Sequence, residues 1–297
     1  MIVIKPTTIT DAMFVSSTAP ETDYTAWNAA TAYIVGDKVI RTSTHRIYYR
    51  LIAGTTATAP ESDGVNWSDI APTNRWALFD GQVSTLTTLA SPLTTVIKPG
   101  IVNAISLFGL VGTSLTVSMK DGLAGPTVYT STTSLDGTIV FDFYSYCFEP
   151  FVQRGEVVLQ SLPAYSDGHI TVTVTGTGSV GCGVLSTGIG YDLGGTLQGA
   201  TAGLVDFSIK STDSFGVTSF VERSYSKRMS AKSMIENSAL NRVQTVLASV
   251  RATPCTWVGT NASNYEPLIV FGFCKDWSID ISYPDYSFVS FEIEGLA

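Results

Sequence analysis

Charge is what this sequence has least of. Asp, Glu, Lys and Arg make up 14% of its 297 residues, against about a quarter in ordinary soluble domains, so much of the surface is expected to lie under partners. The charges sum to -8, and the densest basic feature is the pair Lys227-Arg228. Phosphate recognition needs clustered Lys and Arg, which excludes nucleic acid as a partner. Histidine is scarcer still, with His45 and His169 alone. The four cysteines, Cys147, Cys182, Cys255 and Cys274, lack the paired spacing of a zinc site and read as small buried hydrophobes, so neither a metal nor another cofactor is expected. No apolar run reaches membrane-spanning length, and the opening MIVIKPTTITDAMF carries Lys5 and Pro6 inside its apolar stretch, unlike a signal peptide. Synthesis in a cytosol without membrane insertion is the expectation.

Catalytic signatures are missing too. There is no Gly-x-Ser-x-Gly elbow and no His-Glu-x-x-His pair, and neither histidine belongs to a nucleophile arrangement. Glu292 and Glu294 share a face of the last strand and invite an acid/base reading, although a solvated edge or a subunit salt bridge is the more ordinary explanation. Gly188, Gly190 and Gly194 are wrongly spaced for a phosphate loop. The expectation is that the chain is not an enzyme.

What is present is apolar and aromatic residues, 44% and 11% of the chain, in a length that suits two or three domains. Residues 1–21, rich in Thr, Ser and Pro, read as an arm that docks on a neighbour, or as a first strand added to a sheet or a frayed end. In residues 22–72, closely spaced aromatics sit among turn residues. Val35-Gly36-Asp37-Lys38 is a tight turn into a strand, Lys38 to Arg41, and Arg46 to Ile52 alternates as its partner. So small a module needs its rings for burial, so each ring is a candidate for core and for binding.

The order Ala26-Trp27, Tyr33, Gly36-Asp37-Lys38-Val39, Tyr48 or Tyr49, Thr58, Pro60 and Trp67 resembles the small chitin-binding-type carbohydrate-binding modules that accompany chitinases and recur in phage tail proteins. The resemblance implies rings that stack on sugar faces, with Trp27, Tyr33, Tyr48, Tyr49 and Trp67 as the candidates. Trp27 and Tyr33 are read equally as core or platform, the other three rather as platform. The family commonly has Gly before its second Tyr, whereas Thr44-His45-Arg46 stands here.

Residues 73–190 carry strand-length runs at a regular rhythm (SLTVSMKDG, PTVYTSTTSLDG, IVFDFYSYCF, GEVVLQSL, HITVTVTG), the pattern of an antiparallel β-sandwich. Phe79-Asp80-Gly81-Gln82-Val83-Ser84-Thr85 resembles the opening of galactose-binding-like jelly rolls. A glycine-rich stretch, residues 191–204, reads as a linker or an oligomer-contacting loop. In residues 205–297, a hairpin turns at Asp213 to Gly216, and Leu240, Val243, Val246, Leu247 and Val250 recur at helical spacing until Pro254. Strands Leu268 to Phe273, Trp277 to Ser282 and Phe288 to Ile293 complete an α+β unit. The expected fold class is mainly β: a small three-stranded aromatic-rich module, a jelly-roll-like antiparallel β-sandwich, and an α+β assembly domain with one main helix.

The KSTDSFG, RSYSKR and SYPDYSFVSFEIEGL stretches, with WALFDG and FEPF, are similar to a protein often found among siphophage tail genes. That resemblance implies a structural subunit of a virion tail tip or baseplate, in contact with other tail proteins and with copies of itself as a trimer or hexamer, displaying its module to bacterial surface glycans for host attachment. The rival readings are an architectural protein whose module contacts proteins, and a surface-polysaccharide depolymerase.

Overall fold

The computed structural model describes residues 1–138, 140–260 and 265–296, and nearly half of the chain is strand. The N-terminal segment supplies β1 (Ile2–Pro6) and β2 (Phe14–Ser17). The aromatic-rich stretch supplies β3 (Lys38–Arg41), β4 (Arg46–Arg50) and β5 (Trp67–Pro72), which pair only with one another among the described strands. Next come β6 (Thr87–Ala90), β7 (Leu93–Ile97), β8 (Ala104–Phe108), β9 (Ser114–Asp121), β10 (Thr127–Ser134), α1 (Phe143–Phe148), β11 (Glu156–Gln160), β12 (Gly168–Thr175), β13 (Ser179–Cys182) and β14 (Val184–Asp192). The last third gives β15 (Gly195–Thr196), β16 (Thr201–Asp206), β17 (Ile209–Thr212), β18 (Thr218–Val221), β19 (Tyr225–Glu236), α2 (Leu240–Ser249), β20 (Cys255–Val258), β21 (Ile269–Asp280) and β22 (Tyr286–Gly295).

The alternating runs become strands for the reason that made them legible. In β9, Leu115, Val117 and Met119 are buried on one face, and in β12, Ile170, Val172 and Val174 are. These two strands lie at the centre of a five-stranded sheet, β10-β9-β12-β7-β2. Their apolar face joins Ile105 and Leu107 of β8 and Leu185 of β14 in one core, which makes a sandwich. The expected helix forms as α2, which buries Val243, Val246 and Leu247 against Trp257, Val289 and Phe291 in a second core.

One antiparallel sheet of ten strands, β11-β8-β14-β1-β20-β21-β22-β19-β15 with β16 also on β19, carries both cores. Direct partners share a face, and the register puts Val3, Leu107, Leu185 and Trp257 on one side, with Ile4, Ser106, Phe108 and Thr256 on the other. The second side is the inside of a curl. β8 and β20 are three places apart, roughly 14 Å in a flat sheet, yet the hydroxyls of Ser106 and Thr256 are 2.6 Å apart and buried. Phe108, Val184 and Phe271 pack beside them. The curl also brings the distant edges together, where Lys227 of β19 pairs with Glu156 of β11 and Arg154 with Glu266 at 3.1 Å.

Several boundaries differ from those read in the sequence. Residues 1–21, read as an arm, a first strand added to a sheet or a frayed end, include β1, an interior strand that hydrogen-bonds to β14 on one edge and β20 on the other. Its Val3 and Ile4 are fully buried. The stretch 191–204, read as a linker, is instead built into the sheet, holding the end of β14, all of β15 and most of β16, with Leu193 buried. Two of the glycines in and beside it stand where backbones approach closely, whereas Gly195, Gly199 and Gly203 face open space. A Cβ on Gly188 would overlap the Lys5 carbonyl, and one on Gly194, at φ +94°, the Met234 carbonyl. The run IVFDFYSYCF, read as a strand, contains α1, and its Ile139 lies outside the described residues. Reciprocal capping decides this. Asp142 Oδ1 accepts from the Ser145 amide at 2.7 Å while Ser145 Oγ accepts from the Asp142 amide at 3.0 Å. Two strands read separately, Leu268 to Phe273 and Trp277 to Ser282, are one long β21 with an irregularity between Cys274 and Asp276.

Two predictions follow from this sheet. Ile4→Ala should cost about 2–5 kcal/mol and lower the denaturant resistance of β9 and β22 together; hydrogen exchange followed across a urea series reads this, and weakening on one side alone would count against β1 as the shared strand. The second concerns pH. Burial pushes the Glu156 carboxyl above its ordinary value, and Lys227 opposes this without overcoming it. An acid with a raised folded pKa contributes its full stabilisation below the unfolded value of about 4.3 and loses it as pH rises through the folded value. The share of stability due to Glu156 should therefore fall across mildly acidic pH, and Glu156→Gln should flatten that part of a urea-midpoint profile; an unchanged slope would remove Glu156 as its cause.

Candidate functional site

The aromatic-rich module is built around the residues that made it recognisable. Gly36, at φ +99°, makes the turn before β3, and Asp37 holds it, its Oδ2 accepting from the Ile34 amide at 2.8 Å. Beyond the turn, Val39 is opposite Tyr48, and both are buried. Asp63 accepts from Thr56 Oγ1 at 3.1 Å and from Asn66 Nδ2 at 2.9 Å, and so shapes the loop that delivers Trp67. Pro60 is buried at the start of a short 3-10 turn in that loop.

The five candidate rings fall into two groups. Tyr33, Tyr48 and Trp67 are the module's core, together with Val39. Tyr33 meets Trp67 edge to face at 5.0 Å, and its hydroxyl accepts from the Asn28 amide at 2.8 Å. The guanidinium of Arg50 lies 4.8 Å from the Trp67 ring and donates to the Gly54 carbonyl at 3.0 Å; Trp67 and Arg50 are 2% and 1% exposed. Rings in this position have no face to offer a sugar, which corrects the platform reading of Tyr48 and Trp67 and puts Tyr33, read equally as core or platform, in the core. A core of so few residues cannot close without its largest side chains.

Trp27 and Tyr49 are half-buried. Trp27 packs on the core from outside, and the guanidinium of Arg41 covers it at 4.9 Å. Arg41 is itself fixed by a two-pronged pair with Glu61, at 2.7 and 3.0 Å. Those hydrogen bonds hold the Glu61 carboxyl below the usual carboxylate range. Tyr49 is opposite Lys38 in the β3–β4 register, so the two share a face. Lys38 Nζ lies over the ring of Tyr24 at 5.5 Å and reaches its hydroxyl at 3.5 Å. The accessible strip is therefore Tyr24, Lys38 and Tyr49, while Trp27 packs with Arg41 on the other face of the sheet, against the core. Tyr24 is a surface residue that the reading of the sequence passed over; it stands first in the module, and only the fold carries it to Lys38.

The module is clasped to the sandwich through the residue that departs from the family pattern. His45 has φ +54°, a conformation that favours glycine. Its Nδ1 lies 2.8 Å from Glu21 Oε1, its Nε2 3.0 Å from Asp11 Oδ1, and its ring stacks on Trp76 at 4.0 Å. Glu21 also accepts from the buried Thr73 hydroxyl at 2.9 Å.

Elsewhere several of the titratable groups singled out in the sequence are engaged structurally. Glu292 pairs with Arg228 at 2.8 Å and Glu294 with Lys275 at 3.6 Å, both within the chain. His169 is buried, with Nδ1 2.9 Å from the Asp167 carbonyl. In the segment read as a jelly-roll opening, Asp80 organises a turn by accepting from the Gln82 amide at 2.7 Å, and burial raises its pKa. Burial pushes the thiols of Cys182 and Cys255 up to about 12, while Cys147 is exposed on α1. Among the described residues no three His, Cys, Asp or Glu side chains are grouped to hold a metal ion, and no helix is long and apolar enough to cross a membrane. No known protein-family model matches the chain, and no curated protein matches it.

The two groups of rings should separate by mutation. Trp67→Ala is expected to cost about 3–5 kcal/mol and to unfold the module, whereas Tyr24→Ala should change stability by about 0.5 kcal/mol or less. Thermal melts followed by near-ultraviolet dichroism distinguish them, and equal losses would place Tyr24 in the core.

Proposed function

We propose that the chain is a non-enzymatic structural subunit of a bacteriophage tail tip or baseplate, which works beside other tail proteins and copies of itself and displays its aromatic module to host surface glycans. The observation that carries this reading is the separate three-stranded module. Residues of the chitin-binding-type pattern perform the folding tasks that such a pattern requires: a glycine turn, an acid that holds it, and a closing tryptophan in the core. In this reading the sugar meets the strip of Tyr24, Lys38 and Tyr49. The rings supply flat apolar faces, and the ammonium a donor for hydroxyls. The sandwich and the curled sheet act as a stiff base that holds the module through His45. The site is virion-borne, and the reaction class is binding without turnover.

One observation favours a second reading. Three of the five candidate rings are spent on the core, and Arg41 lies over a fourth, so the platform is smaller than the pattern implies. An architectural subunit whose module contacts another tail protein fits that economy. The two readings diverge in a glycan-array experiment on the full-length chain. Binding to host envelope saccharides should be weakened about 5- to 10-fold by Tyr49→Ala or Tyr24→Ala, the loss of roughly one stacking contact, with the fold unchanged. Absence of saccharide binding, together with labelling of this chain at the tail tip in virion images, would select the architectural reading. Absence from purified virions would reject both.

A further inference from the structure

The strip of Tyr24, Lys38 and Tyr49 carries a single charged side chain, and the charges around it decide what that side chain can do. Residues 22–72 contain Lys38, Arg41, Arg46 and Arg50 as strong bases. Arg41 is held by Glu61 at 2.7 Å and Arg46 by Asp69 at 2.8 Å, while Arg50 is buried against Trp67. Lys38 is exposed, and among the described residues it belongs to no ion pair. Its contact with the Tyr24 hydroxyl, at 3.5 Å, is long for a hydrogen bond, and it stands 5.5 Å from the centre of that ring. An ammonium has three donors. Tyr24 therefore positions the cation at the strip and leaves most of its bonding capacity open.

The acids of the module are turned to other tasks. Besides Glu61 and Asp69 they are Asp23, Asp37 and Asp63. Asp23, next to Tyr24 in sequence, accepts from the Asn74 amide at 3.2 Å, where the module meets the sandwich. Asp37, next to Lys38, accepts from the Ile34 amide at 2.8 Å within the turn. Asp63 is buried and takes Thr56 and Asn66. No base is paired with Asp23 or Asp37, so the strip is not a basic patch; it offers one unpaired ammonium beside two rings. The chain's total of -8 acts weakly on a ligand in contact with Lys38, because charges beyond about 8 Å are screened at physiological salt.

We infer that the ligand of this strip is an acidic saccharide, whose ring lies on Tyr24 or Tyr49 while a carboxylate or phosphate on that sugar takes the ammonium of Lys38. With Tyr33, Tyr48 and Trp67 in the core and Arg41 over Trp27, two stacking faces are left. A neutral sugar gains little more than those faces, and a sugar with a free ammonium meets like charge. Lysine is a compact point charge that accepts either anion. The inference rests on the proposed function for the premise that the strip binds sugar, and it adds which sugars.

The test titrates the full-length chain by ligand-observed nuclear magnetic resonance. The probes are trigalacturonate, its carboxyl-reduced neutral counterpart, a phosphorylated mannose oligomer and chitotriose. At low salt trigalacturonate should bind about 3- to 5-fold more tightly than the reduced form, the effect of one exposed ion pair. That margin should vanish at about 1 M salt, where the Debye length is ~3 Å. In Lys38→Gln the ratio of the two affinities should fall to about one, and Lys38→Arg should restore it, with circular dichroism checking both folds. Tighter binding of the phosphorylated oligomer, lost in the same way, would support the inference and assign the anion as phosphate. Neutral probes that bind as tightly as both acidic ones would overturn it and leave the strip as a neutral-sugar site. A preference for acid that survives in Lys38→Gln would overturn it by placing the anion elsewhere. Failure of every probe to bind would sink it together with the saccharide reading.

Discussion

β1 is five residues long and bonded on both edges, to β14 through Ile2 to Pro6 and to β20 through Ile2 to Ile4. On one side of the sheet its Val3 enters the core covered by α2, and on the other its Ile4 lies among the buried residues inside the curl. The strands beyond β14 carry the sandwich, and those beyond β20 carry the helix-covered half. Two regions that are far apart in sequence thus become neighbours through one short segment. The same insertion accounts for the glycine at 188, where the backbones of β1 and β14 approach too closely for a side chain. It also fixes the curl, since β8 and β20 can share the Ser106–Thr256 hydrogen bond only if the strands between them bend.

What was legible in the sequence was local. Leu115, Val117 and Met119 alternate, and Val243, Val246 and Leu247 recur at helical spacing, because a strand or helix with one buried face must place apolar residues at its own period. The mainly β class follows from those patterns. Pairing is non-local and leaves little trace in composition. IVIKP shows nothing that says it will lie between β14 and β20 and not at an edge, and a run of glycines has the same composition whether it is slack or crowded. α1 was hidden for a different reason: FDFYSYCF has the aromatic content of a strand, and one Asp–Ser capping pair, worth about 1 kcal/mol, decides the conformation where no neighbouring strand competes.

The module shows how a recognisable pattern can locate a domain more surely than it identifies a binding surface. Tyr33, Tyr48 and Trp67 are the most conspicuous rings in the stretch, and all are buried. In a sheet of three short strands the side chains that give the pattern its signature are those that the fold cannot do without. The residues left for a ligand, Tyr24, Lys38 and Tyr49, come together because Lys38 and Tyr49 are register partners and Lys38 reaches back to Tyr24. Spacing along the chain contains the first relation and not the second.

His45 links the two levels of organisation. At φ +54° a side chain is held in a conformation that glycine adopts without strain, a cost of about 1–3 kcal/mol. The structure supplies the compensation. A glycine would relax the turn but would leave Glu21, Asp11 and Trp76 without the ring that joins them. Both ring nitrogens lie within hydrogen-bond distance of a carboxylate, and the face of the same ring is stacked on Trp76. Glu21 is shared with the Thr73 hydroxyl, which lies just beyond β5 where the module runs back into the sandwich. One residue therefore closes the β3–β4 hairpin and ties that hairpin to the body at the point where the chain re-enters it. Two tethers so close together turn a small module on a short connection into a part with a set orientation, which a surface meant to meet a partner from one direction requires.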